Sequence, residues 1–163
     1  MSFGEQLIAW RRELHQNPEL SGQEVETTAR LRQWLTNAGI TPLPYELPTG
    51  LVAEIGTGKK LIALRADIDA LPVEERSGVA FSSQRAGVMH ACGHDIHTSV
   101  ILGAALKLKE REASLNGRVR ILFQPAEENF GGAKSMVRAG ALRDVRAIFG
   151  MHNEPGLPVG EFA

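Results

Sequence analysis

Apolar residues near the start of the chain recur at the spacing of an amphipathic helix. The residues that share this spacing are Phe3, Leu7, Trp10 and Leu14. They are separated by four, three and four positions, with charged residues between them, and positions spaced in this way share one face of an α-helix. The pattern predicts a helix over residues 3–16, ended by the sequence NPELSG.

A second helical pattern begins near Gln23 and ends at Gly39, a residue type that commonly closes helices. Its buried positions are expected to be Leu31, Trp34, Leu35 and Ala38. The next stretch, TPLPYELPTG, contains three prolines, which lack the backbone donor that helices and central strands need. We therefore expect an irregular extended connection after the second helix.

The rest of the chain alternates between apolar runs typical of strands and helical patterns. The runs GLVAEIG and KLIALRAD are separated by TGKK, so we expect them to pair as a β-hairpin. Further strands are expected at GRVRILFQ and VRAIFGMH, and a strand-like stretch within the final residues GLPVGEFA. Helices are expected at SVILGAALKLKE and at GGAKSMVRAG, which Gly140 would close. This alternation predicts a layered α/β domain.

Composition and charge narrow the possible functions. The 163 residues suffice for one domain with a hydrophobic core, and a formal net charge of −1 offers no basic surface for nucleic acid. A single cysteine cannot form an internal disulfide, and the chain lacks the apolar segments of a signal peptide or a membrane span. We therefore expect a cytoplasmic protein. Because no closing helix follows the last clear strand, we also expect it to be part of a longer chain.

The residues most suited to chemistry concentrate in the stretch GVMHACGHDIHTSV. It contains the only cysteine, Cys92, and three of the five histidines, His90, His94 and His97. Cys92 and His94 are two positions apart, so in an extended backbone they would project to the same side. Thiolate and imidazole ligands together suit zinc or another borderline divalent ion.

Further polar residues follow the predicted strands, where open α/β sheets place their ligand sites. They are Arg65, Asp67 and Asp69 after the second apolar run, Glu127 and Glu128 after GRVRILF, and His152 after VRAIF. The side chains of adjacent glutamates diverge, so one can bind a metal while the other contacts its bound water. A water acidified by a metal beside a carboxylate base is suited to hydrolysis of unactivated carbonyl groups.

Each of these residues also has an ordinary structural interpretation. A buried cysteine is more often an inert small apolar residue than a ligand, and a glutamate pair is usually solvated surface. Asp67 and Asp69 could cap the turn before Pro72. In the first helix, His15 is expected to lie partly exposed at the surface, whereas the roles of His90 and His97 stay open.

A nucleophilic triad is a further alternative, formed by Cys92, one of the histidines and Asp95. Against it, Cys92 and His94 lie too close in sequence for in-line attack. The triad would also leave the glutamate pair without a role.

Five segments resemble, in order and spacing, the amidohydrolases of peptidase family M20: HQNPELSGQE, RADIDALPVEE, MHACGHDIHT, FQPAEE and GMHNEPGLPVG. The sequence is most similar to the branch of hippurate hydrolases, N-acyl-amino-acid amidohydrolases and auxin-conjugate hydrolases. The resemblance implies a three-layer αβα zinc-exopeptidase-like catalytic domain with a mixed sheet. Residues 1–163 would be the N-terminal portion of that domain, without the lid and dimerisation domain and the C-terminal remainder.

The resemblance also implies a role for each motif residue. The implied metal ligands are Cys92, His94, Glu128 and His152. Glu127 would be the general base, and Asp69 would support the ligands from behind. Two divalent ions, zinc, manganese or nickel, would share a bridging water, and the metal-bound hydroxide would attack the amide.

The implied reaction is hydrolysis of the amide bond of an N-acyl amino acid or a similar small conjugate. The full-length protein would form a homodimer through the lid and would bind neither nucleic acid nor membrane. Its last histidine ligand and an oxyanion-stabilising histidine would lie outside this chain, which is therefore predicted to be inactive alone. The alternatives are an M20 dipeptidase, an N-acyl-diamino-acid deacetylase and a non-catalytic metal-binding domain. One departure from the family pattern is Asn153 after His152, where many relatives carry an apolar or aromatic residue.

Overall fold

A computed structural model describes residues 1–161 of the chain. The helices are α1 (Phe3–Gln16), α2 (Val25–Asn37), α3 (His94–Glu110), a short 3-10 helix (Glu112–Ser114) and α4 (Gly132–Arg138). The strands are β1 (Leu51–Gly56), β2 (Leu61–Asp67), β3 (Arg118–Gln124) and β4 (Ile148–Gly150). Within the described residues, every helix is too short or too polar to cross a membrane.

The two N-terminal helices form where the spacing predicts them. Ser2 and Glu5 form a capping box at the start of α1, each accepting a hydrogen bond from the backbone N–H of the other. Helix α2 buries Leu31 and Leu35 completely, and Gly39 follows it with φ at +72°. Local sequence signals therefore suffice to predict these two helices.

The strands form one mixed sheet in the order β1-β3-β2-β4. Strand β3 is antiparallel to β1 and parallel to β2, and β2 is parallel to β4. The predicted hairpin between β1 and β2 is therefore wrong, because β3 lies between them. Residues 119–124 of β3 are buried on both faces of the sheet, and a strand of that kind takes a central position.

Helices cover both faces of the sheet, which confirms the predicted three-layer mixed α/β fold. On one face, helices α2 and α3 bury Leu31, Leu35 and Leu102 against strand residues such as Phe123, and Trp10 of α1 packs beside them. On the other face, Val52, Ala63 and Leu122 pack against Met136 of α4 and Ala141. The sheet thereby presents the carboxyl ends of β2, β3 and β4 at one edge.

Two local predictions near this edge are wrong. The stretch from Cys92 to His94 is not extended, because Gly93 is left-handed with φ at +85° and α3 begins at His94 itself. Residues 156–161 form turns instead of a strand-like stretch, and the rest of that prediction, residues 162 and 163, lies outside the described residues.

Candidate metal centre

The predicted site residues meet just beyond the carboxyl ends of the parallel strands. Two groups of side chains offer ligand atoms that all lie within 4.8 Å of one another. The first group is Cys92, His94 and His152, and the second is His94, Glu127 and Glu128. Since His94 belongs to both groups, thiol, imidazole and carboxylate donors from three distant segments surround one buried ring.

His94 presents its two ring nitrogens to different partners. Its Nε2 lies 3.7 Å from Glu128 Oε1, and its Nδ1 lies 3.3 Å from Asp69 Oδ1. Histidine ligands commonly direct one nitrogen at the metal and the other at a carboxylate. Glu128 Oε1 is buried and has no hydrogen-bond partner among the described residues, so a cation between it and His94 would satisfy it. The donor set therefore fits a divalent metal ion.

His152 completes the first group from the segment after β4. Its Nδ1 donates to the carbonyl oxygen of Asn153 at 2.8 Å, because a carbonyl can only accept. This leaves the Nε2 lone pair directed at Cys92 Sγ, 3.4 Å away. An imidazole whose second nitrogen is held by a backbone carbonyl has the tautomer that a metal ligand needs.

The surroundings of Cys92 disfavour a free thiolate. Burial, followed by the nearby Glu128 carboxylate, raises the pKa of the Cys92 thiol to about 11. Nucleophilic cysteines have lowered pKa values, whereas a metal ion deprotonates a coordinating thiol outright. The alternative triad does not form either, because the histidine beside Cys92 is His152, while Asp95 contacts His15 instead.

Asp69 connects the two halves of the site. Its Oδ2 accepts hydrogen bonds from the Ser21 hydroxyl at 2.6 Å and from the backbone N–H of Glu128 at 3.0 Å. Burial by itself raises the pKa of Asp69, but its contacts with His94, Ser21 and the Glu128 backbone lower it to about 2. Asp69 is therefore a buried carboxylate in contact with both His94 and the Glu128 backbone, and its supporting role at a metal site stays a prediction.

The turn that carries the two glutamates is held by a residue that sequence reasoning missed. Ala126 adopts a strained left-handed conformation with φ at +49°. The fully buried Glu24 accepts hydrogen bonds from the Ala126 backbone N–H and from the Thr49 hydroxyl, both at 2.7 Å. The sequence indicates only a glutamate at a helix start, which is common at helix N-termini and gives no signal of this distant contact.

Asp67 and His97 form a second buried pair beside the site. His97 Nδ1 lies 2.6 Å from Asp67 Oδ1, and the other oxygen of Asp67 lies 2.6 Å from a guanidinium nitrogen of Arg65. Together with His94 these residues form a third candidate group. Because both Asp67 oxygens already have partners, this group is better suited to orienting neighbours than to binding a metal. The only signal in the sequence is the spacing of His94 and His97 by one helical turn.

The expectation that His15 lies at the surface is wrong. The side chain is buried, with Nδ1 2.8 Å from Asp95 Oδ2 and Nε2 3.1 Å from Glu75 Oε1. Helix α1 packs against α3, and this contact removes the C-terminal end of α1 from solvent. His90 is also buried, and burial lowers the pKa of its imidazole to about 4, so it is neutral at physiological pH.

Comparisons with known proteins identify the family that this chain resembles in sequence. The model of peptidase family M20/M25/M40 matches residues 63–163. The N-acetylcysteine deacetylase of Bacillus subtilis is 53% identical over 163 residues, which cover 98% of this chain and 43% of that protein. An IAA-amino acid hydrolase of Arabidopsis thaliana is 47% identical over 163 residues, which cover 98% of this chain and 36% of that protein.

Structural comparison leads to the same group of proteins. The crystal structure of the Bacillus subtilis YXEP protein, a dinuclear metal binding peptidase from the M20 family, matches with a TM-score of 0.94 and 53% identity. The match covers 97% of this chain and 45% of that one. The chain therefore spans about two fifths of the length of the curated relatives it matches.

Proposed function

The chain belongs to peptidase family M20/M25/M40, and from this premise we propose that the whole protein is a metal-dependent amidohydrolase. Its proposed substrates are N-acyl amino acids or similar small conjugates. The observation that carries the proposal is the convergence of a thiol, two imidazoles and two carboxylates around His94. The relatives named above, a deacetylase and an amino acid conjugate hydrolase, support the substrate class.

Two divalent ions, zinc, manganese or nickel, are the proposed cofactors. Cys92, His94, Glu128 and His152 would hold them, and the mixture of sulfur, nitrogen and oxygen donors suits borderline transition metals. When bound, the ions would acidify the attacking water and polarise the scissile carbonyl group. The dinuclear relative from Bacillus subtilis supports the number of ions.

Glu127 is the proposed general base. Its carboxylate lies within 4.8 Å of the ligand atoms of His94 and Glu128, so it can reach a water held beside them. It would take a proton from that water and pass it to the leaving amine. Glu128 is anchored through its backbone to Asp69, and this contact fixes the turn from which both glutamates project.

The test uses the full-length protein and two isosteric substitutions in adjacent residues. Glu127→Gln should lower kcat by about 10²–10⁴ and leave the metal content unchanged, because it removes only the proton acceptor. Glu128→Gln, the matched control, should lower the metal content itself. Full activity of the Glu127→Gln variant, or loss of its metal, would contradict the assigned base.

A panel of substrates would define the activity further. It would contain N-acetylcysteine, an IAA-amino acid conjugate, hippurate, an N-acetyl-diamino acid and a dipeptide. Preference for the dipeptide or the diamino acid would favour the alternative branches of the family. Binding of metal without turnover of any of them would favour a non-catalytic metal-binding domain.

A thiol hydrolase with Cys92 as the nucleophile is the other alternative, and the pKa of the Cys92 thiol, raised to about 11 by burial and the Glu128 carboxylate, argues against it. Such an enzyme would be inactivated by thiol alkylation and would survive chelation, whereas the metal-dependent enzyme should be inactivated by chelation. Two further predictions concern the whole protein: location in the cytoplasm and homodimerisation through a lid domain. Cell fractionation and sedimentation of the full-length protein test them.

A further inference from the structure

The segment that carries His152 has few attachments to the rest of the protein. Strand β4 pairs with β2 at only three positions, and its residues Ile148 and Phe149 are 50% and 56% exposed. Within residues 1–161, the hydrogen bonds that join segment 151–161 to other parts of the chain all come from His152 and Asn153. The orientation of His152 therefore depends on a small number of contacts.

His97 provides the buried part of this attachment. The backbone N–H of Asn153 donates to His97 Nε2 at 3.0 Å, so this nitrogen carries no proton. The proton of the neutral ring is then on Nδ1, which donates to Asp67 Oδ1 at 2.6 Å. Arg65 holds the same carboxylate from the strand side. A rigid chain of contacts thus runs from β2 through His97 to Asn153.

The side chain of Asn153 contributes a second contact with the same ring. Its Oδ1 lies 2.6 Å from His97 Nε2. Exchange of the amide oxygen and nitrogen by a 180° rotation places the NH₂ group there, where it shares the single Nε2 lone pair with the backbone N–H. The amide also occupies the space beside Gly93, because a Cβ atom built on Gly93 would overlap it. Asn153 is therefore packed between His97 and the backbone that separates Cys92 from His94.

The ring of His97 also packs directly on His152. The ring centroids lie 4.6 Å apart with an interplanar angle of 61°, an edge-to-face contact. His97 thus restrains His152 in two ways. It accepts a hydrogen bond from the backbone of Asn153, the next residue, and its ring packs against the ring of His152.

We propose that His97 is a positioning residue for the metal centre: supported by Asp67, it fixes Asn153 and thereby holds His152 Nε2 towards Cys92. This inference rests on the proposed function, which makes His152 a ligand. His97 is not itself a ligand, since both of its ring nitrogens already have partners.

The test compares two truncations of the same ring in the full-length protein. In His97→Asn, the amide can still reach Asp67 and the contact with Asn153 is lost. In His97→Gln, the longer side chain places an amide oxygen near the position of Nε2, where it can accept from Asn153. Zn²⁺ affinity would be measured by competition with a chromophoric chelator. We expect His97→Asn to lower the affinity by about 10–100-fold, as loss of an outer hydrogen-bond partner of a metal ligand does, and His97→Gln to restore part of it.

A double-mutant cycle distinguishes positioning from general destabilisation. If His97 acts through His152, then His97→Asn should have no further effect on Zn²⁺ affinity in a His152→Ala background. His15→Asn is the matched control, because it truncates another buried, hydrogen-bonded histidine away from this segment. It should lower the unfolding temperature and leave Zn²⁺ affinity unchanged.

The outcomes separate this inference from the proposed function. If His152→Ala lowers Zn²⁺ affinity and His97→Asn does not, the positioning role is wrong and the ligand assignment stands. An equal effect of His97→Asn in both backgrounds also overturns the positioning role. If His152→Ala itself leaves Zn²⁺ affinity unchanged, the ligand set of the proposed function fails, and the role of His97 fails with it.

Discussion

Glu24 offers the sharpest test of how the fold supports the site. Its carboxylate is fully buried and joins the start of α2 to two distant groups, the Thr49 hydroxyl and the backbone N–H of Ala126. The substitution Glu24→Ala removes both hydrogen bonds. It also leaves a donor at the strained turn before Glu127 without a partner.

The expected loss of stability follows from these two contacts. Leaving a buried polar group unsatisfied costs about 1–3 kcal/mol, so two such groups cost about 4 kcal/mol together. At about 2 °C per kcal/mol, the unfolding temperature should fall by about 8 °C. In Glu24→Gln, the amide oxygen can still accept from Ala126 and the NH₂ group can donate to Thr49. We expect a loss of about 1 kcal/mol there, because the charge that strengthens both bonds is gone.

The assay is thermal unfolding of the full-length protein, followed by fluorescence in the presence of saturating metal. Glu26→Ala is the control, because the Glu26 side chain is 57% exposed and pairs with Arg30 and Arg85 at the surface. Exposed ion pairs contribute about 0–1 kcal/mol, so this variant should unfold within about 2 °C of the wild type. Equal unfolding temperatures for Glu24→Ala and Glu26→Ala would refute the assigned role of Glu24.

Three further predictions concern charge, backbone and metal. The hydrogen bond that His15 donates to the Asp95 carboxylate raises the pKa of His15 above its ordinary 6.5. The stability that this ion pair contributes is therefore fully present below about pH 6.5 and is lost as the pH rises through the raised value. The stability difference between wild type and His15→Asn should therefore narrow at alkaline pH in unfolding experiments, and a constant difference would contradict the ion pair. Gly93→Ala should reduce metal content because the new Cβ overlaps Asn153, whereas Gly78→Ala, with a similar positive φ in open space, should retain it. Dialysis against a chelator should lower the unfolding temperature by an amount that returns with added Zn²⁺, and an unchanged temperature would count against a native metal site.

Helices and strands could be predicted from the sequence where a repeated pattern of nearby residues determines them. The apolar spacing over residues 3–16 predicts α1, and the apolar-rich segment GRVRILFQ predicts the strand β3. The motifs around Cys92 and Glu127 also indicated side chains that the fold brings close together, and their role as metal ligands stays a prediction. These signals are local because helix periodicity and donor chemistry belong to short segments.

Pairings between segments far apart in the chain could not be predicted in this way. The short TGKK connection favoured a hairpin, but the free energy of burying both faces of β3 places that strand between β1 and β2. His15 was expected at the surface for a similar reason, since its partner Asp95 lies 80 positions away. Propensity and turn length carry no information about such partners.

The sequence by itself therefore determined the α/β class, the main helices and strands, the family and the residue types available for a metal centre. The tertiary structure decided the strand order, the burial of His15 and Glu24, and the contacts that relate His97, Asn153 and His152. The physical reason is that these features depend on which groups become neighbours once the strands have paired and the helices have packed on the sheet. Only then are the hydrogen-bond partners, the desolvation and the histidine tautomers defined.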